Sequence, residues 1–196
     1  MQVKQAAALD GRSQQRLSVY AMIVCALFVA LIAVGAFIRV PVPVCPFTLQ
    51  FLFTAMAGLL LGKRLGALAV GVYVVLGLMG VPIFTEGGGP GYIFQPTFGY
   101  LLGFIGGAYV SGRMTEGEGR PTFGRLLMAT LANLAVVYAV GMAYLYVVCN
   151  FYLGKAVSFE YVVWYCFVLA VPGDIFLSVV AAMLGKRVIP AIRHRG

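Results

Sequence analysis

Long apolar runs repeat along all 196 residues of this chain, and almost every charged residue falls between them. A helix of about 20 apolar residues, rising about 1.5 Å per residue, spans the hydrocarbon core of a bilayer. The composition agrees: 62% of residues are hydrophobic and 10% charged, against about 25% charged in soluble domains. The chain therefore reads as an all-α integral membrane protein. Six transmembrane helices are expected, at residues 17–38, 47–62, 65–83, 94–111, 123–150 and 161–185. Residues 17–187 would form one membrane domain, with a tail at 1–16 and a basic tail at 188–196. The second and fourth spans are short for an upright crossing, and the fifth is long enough to project or to change form at Asn150.

Lysine and arginine set the orientation, because positive loops are retained on the cytoplasmic side. Lys4, Arg12, Arg16, Lys63, Arg64, Arg113, Arg120, Arg125, Lys186, Arg187, Arg193 and Arg195 all fall on one side of such a six-span arrangement, and only Arg39 and Lys155 on the other. Both termini are thus expected in the cytoplasm, with the chain a multi-pass protein of the cell membrane. The net charge of +8 is a topology signal, and no nucleic-acid partner is expected. The segment before the first span lacks a small-x-small cleavage site, so that span reads as a retained helix.

Several activities lack their parts. The nearest approach to a phosphate-binding loop, "GLLLGKR" at residues 58–64, has the wrong spacing and no hydroxyl after the lysine. The sole histidine, His194, lies in the tail, and no serine stands in a nucleophile-elbow context. No catalytic residue, metal site or cofactor is expected. Cys25, Cys45, Cys149 and Cys166 lack metal-ligand spacing and read as small packing residues, a Cys45 to Cys149 bridge being the alternative.

Three irregular segments share the side opposite the basic loops. "IRVPVPVCPFTLQ" carries Pro41, Pro43 and Pro46, which exclude helix and favour a stiff extended loop. "GVPIFTEGGGPGYIFQPTFGY" combines a glycine run with flanking prolines and aromatics, as expected of a loop covering a ligand. Residues 150–160 form the third. Near the same side lies Asp174, inside "VPGDIFLSVVAAMLGK", about 18 Å along a helix from Lys186. An acid there costs about 2.5–3.5 kcal/mol even on lenient insertion scales, so it needs a partner or a cavity. Pro172 and Gly173 should kink the helix or start a new one, leaving Asp174 near a helix N-terminus, as its cap, as an acceptor in a pocket, or as both. No lysine or arginine lies a turn away, so a donor must come from another helix or a ligand. Thr48 and Gln50 follow the proline loop and Gln95 and Thr97 the glycine loop; of these, Gln50 and Gln95 flank the irregular segments on the side of Asp174 and could share that pocket. Asn133, deeper, reads as an interhelical packing residue.

The segments "RVPVPVCPFTLQFLFTAMAGLLLGKRLG", "GVPIFTEGGGPGYIFQPTFGYLLGF" and "VPGDIFLSVVAAMLGK" resemble, in order and spacing, the signature regions of the BioY family. These are the biotin-specific S components of energy-coupling factor (ECF) transporters. The resemblance spans residues 17–187. It implies the S-component fold, binding of biotin from outside, and partnership with a membrane-embedded T component and two ABC-type ATPase subunits. The alternatives are an S component for a different vitamin or a stand-alone biotin transporter. The implied ligand-binding set is Asp174, Gln50, Thr48, Phe47, Arg39, Gly88, Gly91, Tyr92, Gln95 and Tyr100, with Asp174 accepting the ureido N–H groups. The family often has a lysine three residues after the aspartate; Leu177 stands there, and Arg39 becomes the candidate for the biotin carboxylate, its alternative an interfacial anchor. Ala26 and Ala30, spaced for close helix approach, are implied to dock the T component. An intramembrane enzyme pairing Asp174 with Glu160 is the competing class.

Overall fold

The computed structural model describes residues 19–40, 47–117, 121–155 and 157–193. Helix α1 is Val19–Phe37, and α2 is Gln50–Leu78. Then come α3 at Phe98–Thr115 and α4 at Phe123–Val147, which widens into a π-turn over Val148–Tyr152. A short α5, Phe159–Val162, widens likewise over Val163–Val168, and α6 is Val171–Arg193. Among the described residues, four helical stretches are long and apolar enough to cross a membrane: Val19–Phe37, Gln50–Leu78, Phe123–Tyr152 and Phe159–Ala191.

The sequence reading separates α2 into two spans, and the backbone shows how the two become one element. Gly62 leaves helical geometry with φ 78° and ψ 179°, a conformation that glycine alone adopts without strain. Beyond it the chain turns back, because Gly66 packs onto the backbone of Ala57 and Gly58. Residues 50–61 and 63–78 therefore lie side by side as a tight helical hairpin. Cys25 on α1 reaches the Leu65 carbonyl at 3.8 Å, tying α1 to this hairpin.

The basic residues at the hairpin tip cluster with those of neighbouring turns. Lys63 Nζ meets Glu116 Oε2 at 2.6 Å, and this hydrogen-bonded ammonium holds the Glu116 carboxyl below its ordinary range. Arg125 Nε donates to the Met114 carbonyl at 2.7 Å, and Thr122 caps α4 through the Arg125 amide. Above this end, Leu59, Leu126, Ala129, Ala182 and Ile189 form a small buried cluster. A larger core fills the rest of the bundle and includes Ile32, Tyr73, Phe84, Tyr138 and Cys166. The Asn133 amide lies 3.4 Å from Ser111 Oγ, linking α4 to α3, which agrees with the interhelical role expected of it. Cys149 and Cys166 are buried free thiols; Cys45 lies outside the described residues.

At the opposite end lie the residues that flank the proline segment; residues 41–46 themselves lie outside the described residues. The strands on either side, β1 Arg39–Val40 and β2 Phe47–Thr48, pair antiparallel with Arg39 opposite Thr48. The glycine segment forms a bridge between Phe84 and Gly87, then a 3₁₀ turn over Pro90–Phe94. Gly87 and Gly89 have φ of 114° and 106° there, and the Gly89 amide donates to the Gly77 carbonyl at 2.7 Å.

Helix packing depends on missing side chains. A Cβ on Gly112 would lie 2.4 Å from the Lys63 backbone nitrogen, whereas one on Gly71 would meet nothing within 4 Å. Backbone cannot move aside as a side-chain end can, and overpacking of this kind costs about 1–3 kcal/mol. Gly112→Ala should therefore lower the thermal midpoint of the detergent-purified protein. Gly71→Ala should leave it unchanged or raise it, by up to about 1 kcal/mol of helix propensity.

Candidate functional site

The sequence gives α6 its start. The turn at Leu169 and Ala170 ends the π segment, and Pro172 occupies the first turn of α6, where its missing N–H is no loss. Asp174 follows in that same turn, its amide bonded to the Ala170 carbonyl at 3.2 Å. Gly173 allows the Phe47 ring to lie against this turn, since a Cβ there would sit 2.7 Å from the ring. The cap alternative does not hold: the Asp174 carboxylate points across to α4, where the Tyr138 hydroxyl donates to Oδ2 at 2.5 Å. Ser178 Oγ closes the turn by donating to the Asp174 carbonyl at 2.8 Å.

Tyr138 is itself fixed. Its ring stands edge-on to Tyr100 at 5.9 Å and to Phe167 at 5.6 Å, a favourable arrangement of ring quadrupoles. Gly141, one turn along α4, admits the Tyr100 ring. With no cation within a turn of it on α6, Asp174 takes its donor from another helix, α4. Tyr138 was not a predicted site residue. Its signal was available: a phenol in the middle of an apolar span must find a hydrogen-bond partner.

Asp174 and Tyr138 form part of the wall of a partly open pocket. Phe51, Tyr92, Tyr100, Phe104 and Val137 supply apolar surface. Gln50 lines it too and is 3% exposed. Its Nε2 lies near the Tyr73 hydroxyl without reaching hydrogen-bond geometry, and the Thr97 hydroxyl in the same wall is buried without a partner. Buried polar atoms in native proteins are normally satisfied, so an unmet donor beside a buried carboxylate marks a surface built for a polar ligand.

Of the predicted set, Asp174, Gln50, Thr48, Phe47, Tyr92 and Tyr100 come together in this pocket. The other four do not line it. Gly88 serves a close backbone approach, where a Cβ would sit 2.3 Å from the Val81 carbonyl oxygen. Gly91 has no such neighbour, and Gln95 is exposed at the end of the 3₁₀ turn. Arg39 is exposed beside the mouth, its Nη1 donating to the carbonyl of pocket-lining Thr85 at 3.0 Å. Leu177 is buried in the core and outside the pocket wall. Glu160 is exposed and lines a separate surface with Trp164, so it does not converge with Asp174. Ala26 and Ala30 fall on the exposed side of α1. Thr85, Glu86, Thr97 and Val137 join the wall without having been singled out as binding residues.

The arrangement offers a buried acceptor and a buried donor within aromatic walls. It suits a flat, largely apolar molecule whose polar edge carries N–H groups and a carbonyl. A model of the BioY family matches residues 10–194.

The chain belongs to the BioY family. It is 42% identical over 176 residues to a probable biotin transporter BioY of Lysinibacillus sphaericus, covering 90% of each chain. It is 41% identical over 167 residues to the biotin transporter BioY of Thermotoga maritima, covering 82% of this chain and 90% of that one. In three dimensions it is similar to the crystal structure of the S-component for biotin from an ECF-type ABC transporter, with a TM-score of 0.72, 25% identity, and coverage of 87% and 90%. The folic-acid-bound FolT structure shares the fold at a TM-score of 0.60 and 13% identity. The BioY family and these relatives are transporters, not enzymes.

Removing the Tyr138 hydroxyl would leave the Asp174 carboxyl buried without its donor. Hydrogen bonds to charged groups contribute about 1.5–3 kcal/mol, and Tyr138→Phe should destabilise the ligand-free protein by an amount in that range. Combined with Asp174→Leu, the same change should cost less than it does alone; the coupling is read from a double-mutant cycle of thermal unfolding.

Proposed function

We propose that this BioY-family chain is a high-affinity biotin-binding membrane subunit that mediates biotin uptake. The observation that carries the reading is the buried Asp174–Tyr138 pair beside the unmet Gln50 donor, within aromatic walls. Biotin has a fused ureido ring with two N–H donors and a carbonyl, on an apolar bicycle containing sulfur, and a valeryl tail. The Asp174 carboxylate accepts from the ureido N–H groups, a charge-assisted bond stronger than a neutral one. Gln50 Nε2 donates to the ureido carbonyl. Phe47, Phe51, Tyr92, Tyr100 and Phe104 pack on the bicycle, with polarizable contacts to its sulfur. Thr48 borders the entrance, and the glycine segment with Gly88 and Gly91 closes over it, carrying Gln95 at its end. Arg39 stands at the mouth rather than against the ring.

The same reading includes six spans in a cell membrane, with both termini cytoplasmic. The hairpin at Gly62 supports the count, since it makes two crossings of α2, and the gathering of Lys63, Arg113 and Arg125 at one end supports the orientation. Residues 17–187 are the membrane domain between tails 1–16 and 188–196. Uptake is energised by a membrane-embedded T component and two ABC-type ATPase subunits, with Ala26 and Ala30 as the docking stripe on α1. Their exposure supports that role, because neither is used to pack the bundle.

Titration of the detergent-purified protein with biotin tests the reading. Tight binding is expected, weakened about 100-fold in Asp174→Asn and about tenfold in Gln50→Leu. Absence of binding by the intact protein, or competition by other vitamins but not by unlabelled biotin, would contradict it. In cells supplying the partners, Ala26→Trp with Ala30→Trp should abolish uptake while biotin binding to the purified subunit persists.

A further inference from the structure

The pocket carries an imbalance of charge. Two acids line it, Asp174 in the buried part and Glu86 on the exposed rim, and among the described residues no lysine or arginine does. Positions 41–46, outside the described residues, contain no cation in the sequence. The nearest guanidinium, Arg39, is exposed and already donates to the Thr85 carbonyl at the rim. A site that reads a ligand carboxylate normally does so with a buried arginine or lysine, because the anion must be compensated where water is excluded.

With the ureido ring against Asp174 and Gln50, the tail runs toward the half-exposed rim formed by Phe47, Thr48, Thr85 and Glu86. There its carboxylate meets water, the exposed Arg39 and the opposing charge of Glu86. Exposed ion pairs change affinity by about fivefold at most, and the two contributions have opposite sign. We infer that the pocket does not read the tail's charge, and that its substrate class comprises biotin together with carboxyl-linked biotin amides, including biotin joined to the side-chain amine of lysine. This inference rests on the biotin reading above. It deepens that reading by dividing the ligand into a recognised ring and an unrecognised terminus.

The test titrates the full chain in detergent with three probes: biotin, neutral biotinamide and Nε-biotinyl-lysine. Dissociation constants within about tenfold of one another are expected. Either derivative binding more than tenfold weaker than biotin would overturn the inference while leaving the biotin reading intact. Failure of biotin itself to bind would sink the reading, and the inference with it. Two variants separate the rim charges. Glu86→Gln should shift the ratio of affinities toward biotin over biotinamide by about threefold, since a like charge is removed. Arg39→Ala should shift it the other way by less than tenfold. A larger loss, confined to biotin, would mean that Arg39 reads the carboxylate and would overturn the inference.

Discussion

Everything at the pocket end depends on the hydrogen bond from Tyr138 to Asp174. A carboxylate within a helix long and apolar enough to cross a membrane is costly wherever it lacks a donor. Tyr138 supplies that donor from α4 and so fixes how α4 and α6 face one another. The phenol satisfies only part of the carboxylate's capacity, because an ionised carboxyl can accept several hydrogen bonds. The remainder faces the pocket wall. One interaction thus holds two helices in register and leaves an acceptor aimed at whatever enters.

Close helix approach provides the rigidity this requires. Gly112 admits the Lys63 backbone at one end, Gly141 admits the Tyr100 ring, and Gly173 admits the Phe47 ring at the other. A methyl at Gly141 or Gly173 would crowd a ring of the pocket wall, and the pocket residues come from five separate segments. The Tyr73 hydroxyl donates to the Ile83 carbonyl at 2.8 Å, the Tyr144 hydroxyl donates to the Ile93 carbonyl, and the Phe84 ring stands edge-on to Tyr73 at 5.5 Å. These contacts anchor the glycine segment to the helices beneath it, so the irregular backbone at the mouth is held from below.

The helical membrane character was legible because apolar run length is a direct physical constraint. So was the exceptional position of Asp174, an acid without a local cation. The reversal at Gly62 was legible too, since spans ending at 62 and starting at 65 leave only the basic pair Lys63 and Arg64 between them. Tyr138 escaped notice because nothing in its neighbourhood shows which way a phenol on a buried helix will point; that depends on tertiary packing against Tyr100 and Phe167. Gly88 and Gln95 illustrate the reverse. Their segment does contribute to the pocket wall, yet sequence cannot tell which of its residues face inward. Gly88 is committed to the Val81 carbonyl and Gln95 to the exposed end of a turn, while Thr85 and Glu86 line the wall instead.

The measurement that most directly examines the role of the Asp174–Tyr138 pair is a structure of this protein with biotin bound. The ureido nitrogens should lie about 3 Å from the Asp174 carboxylate, with the ureido oxygen facing Gln50 and the valeryl tail directed to the rim at Thr85 and Glu86. A ligand bound the other way round, its carboxylate buried and its ureido ring at the mouth, would contradict the account.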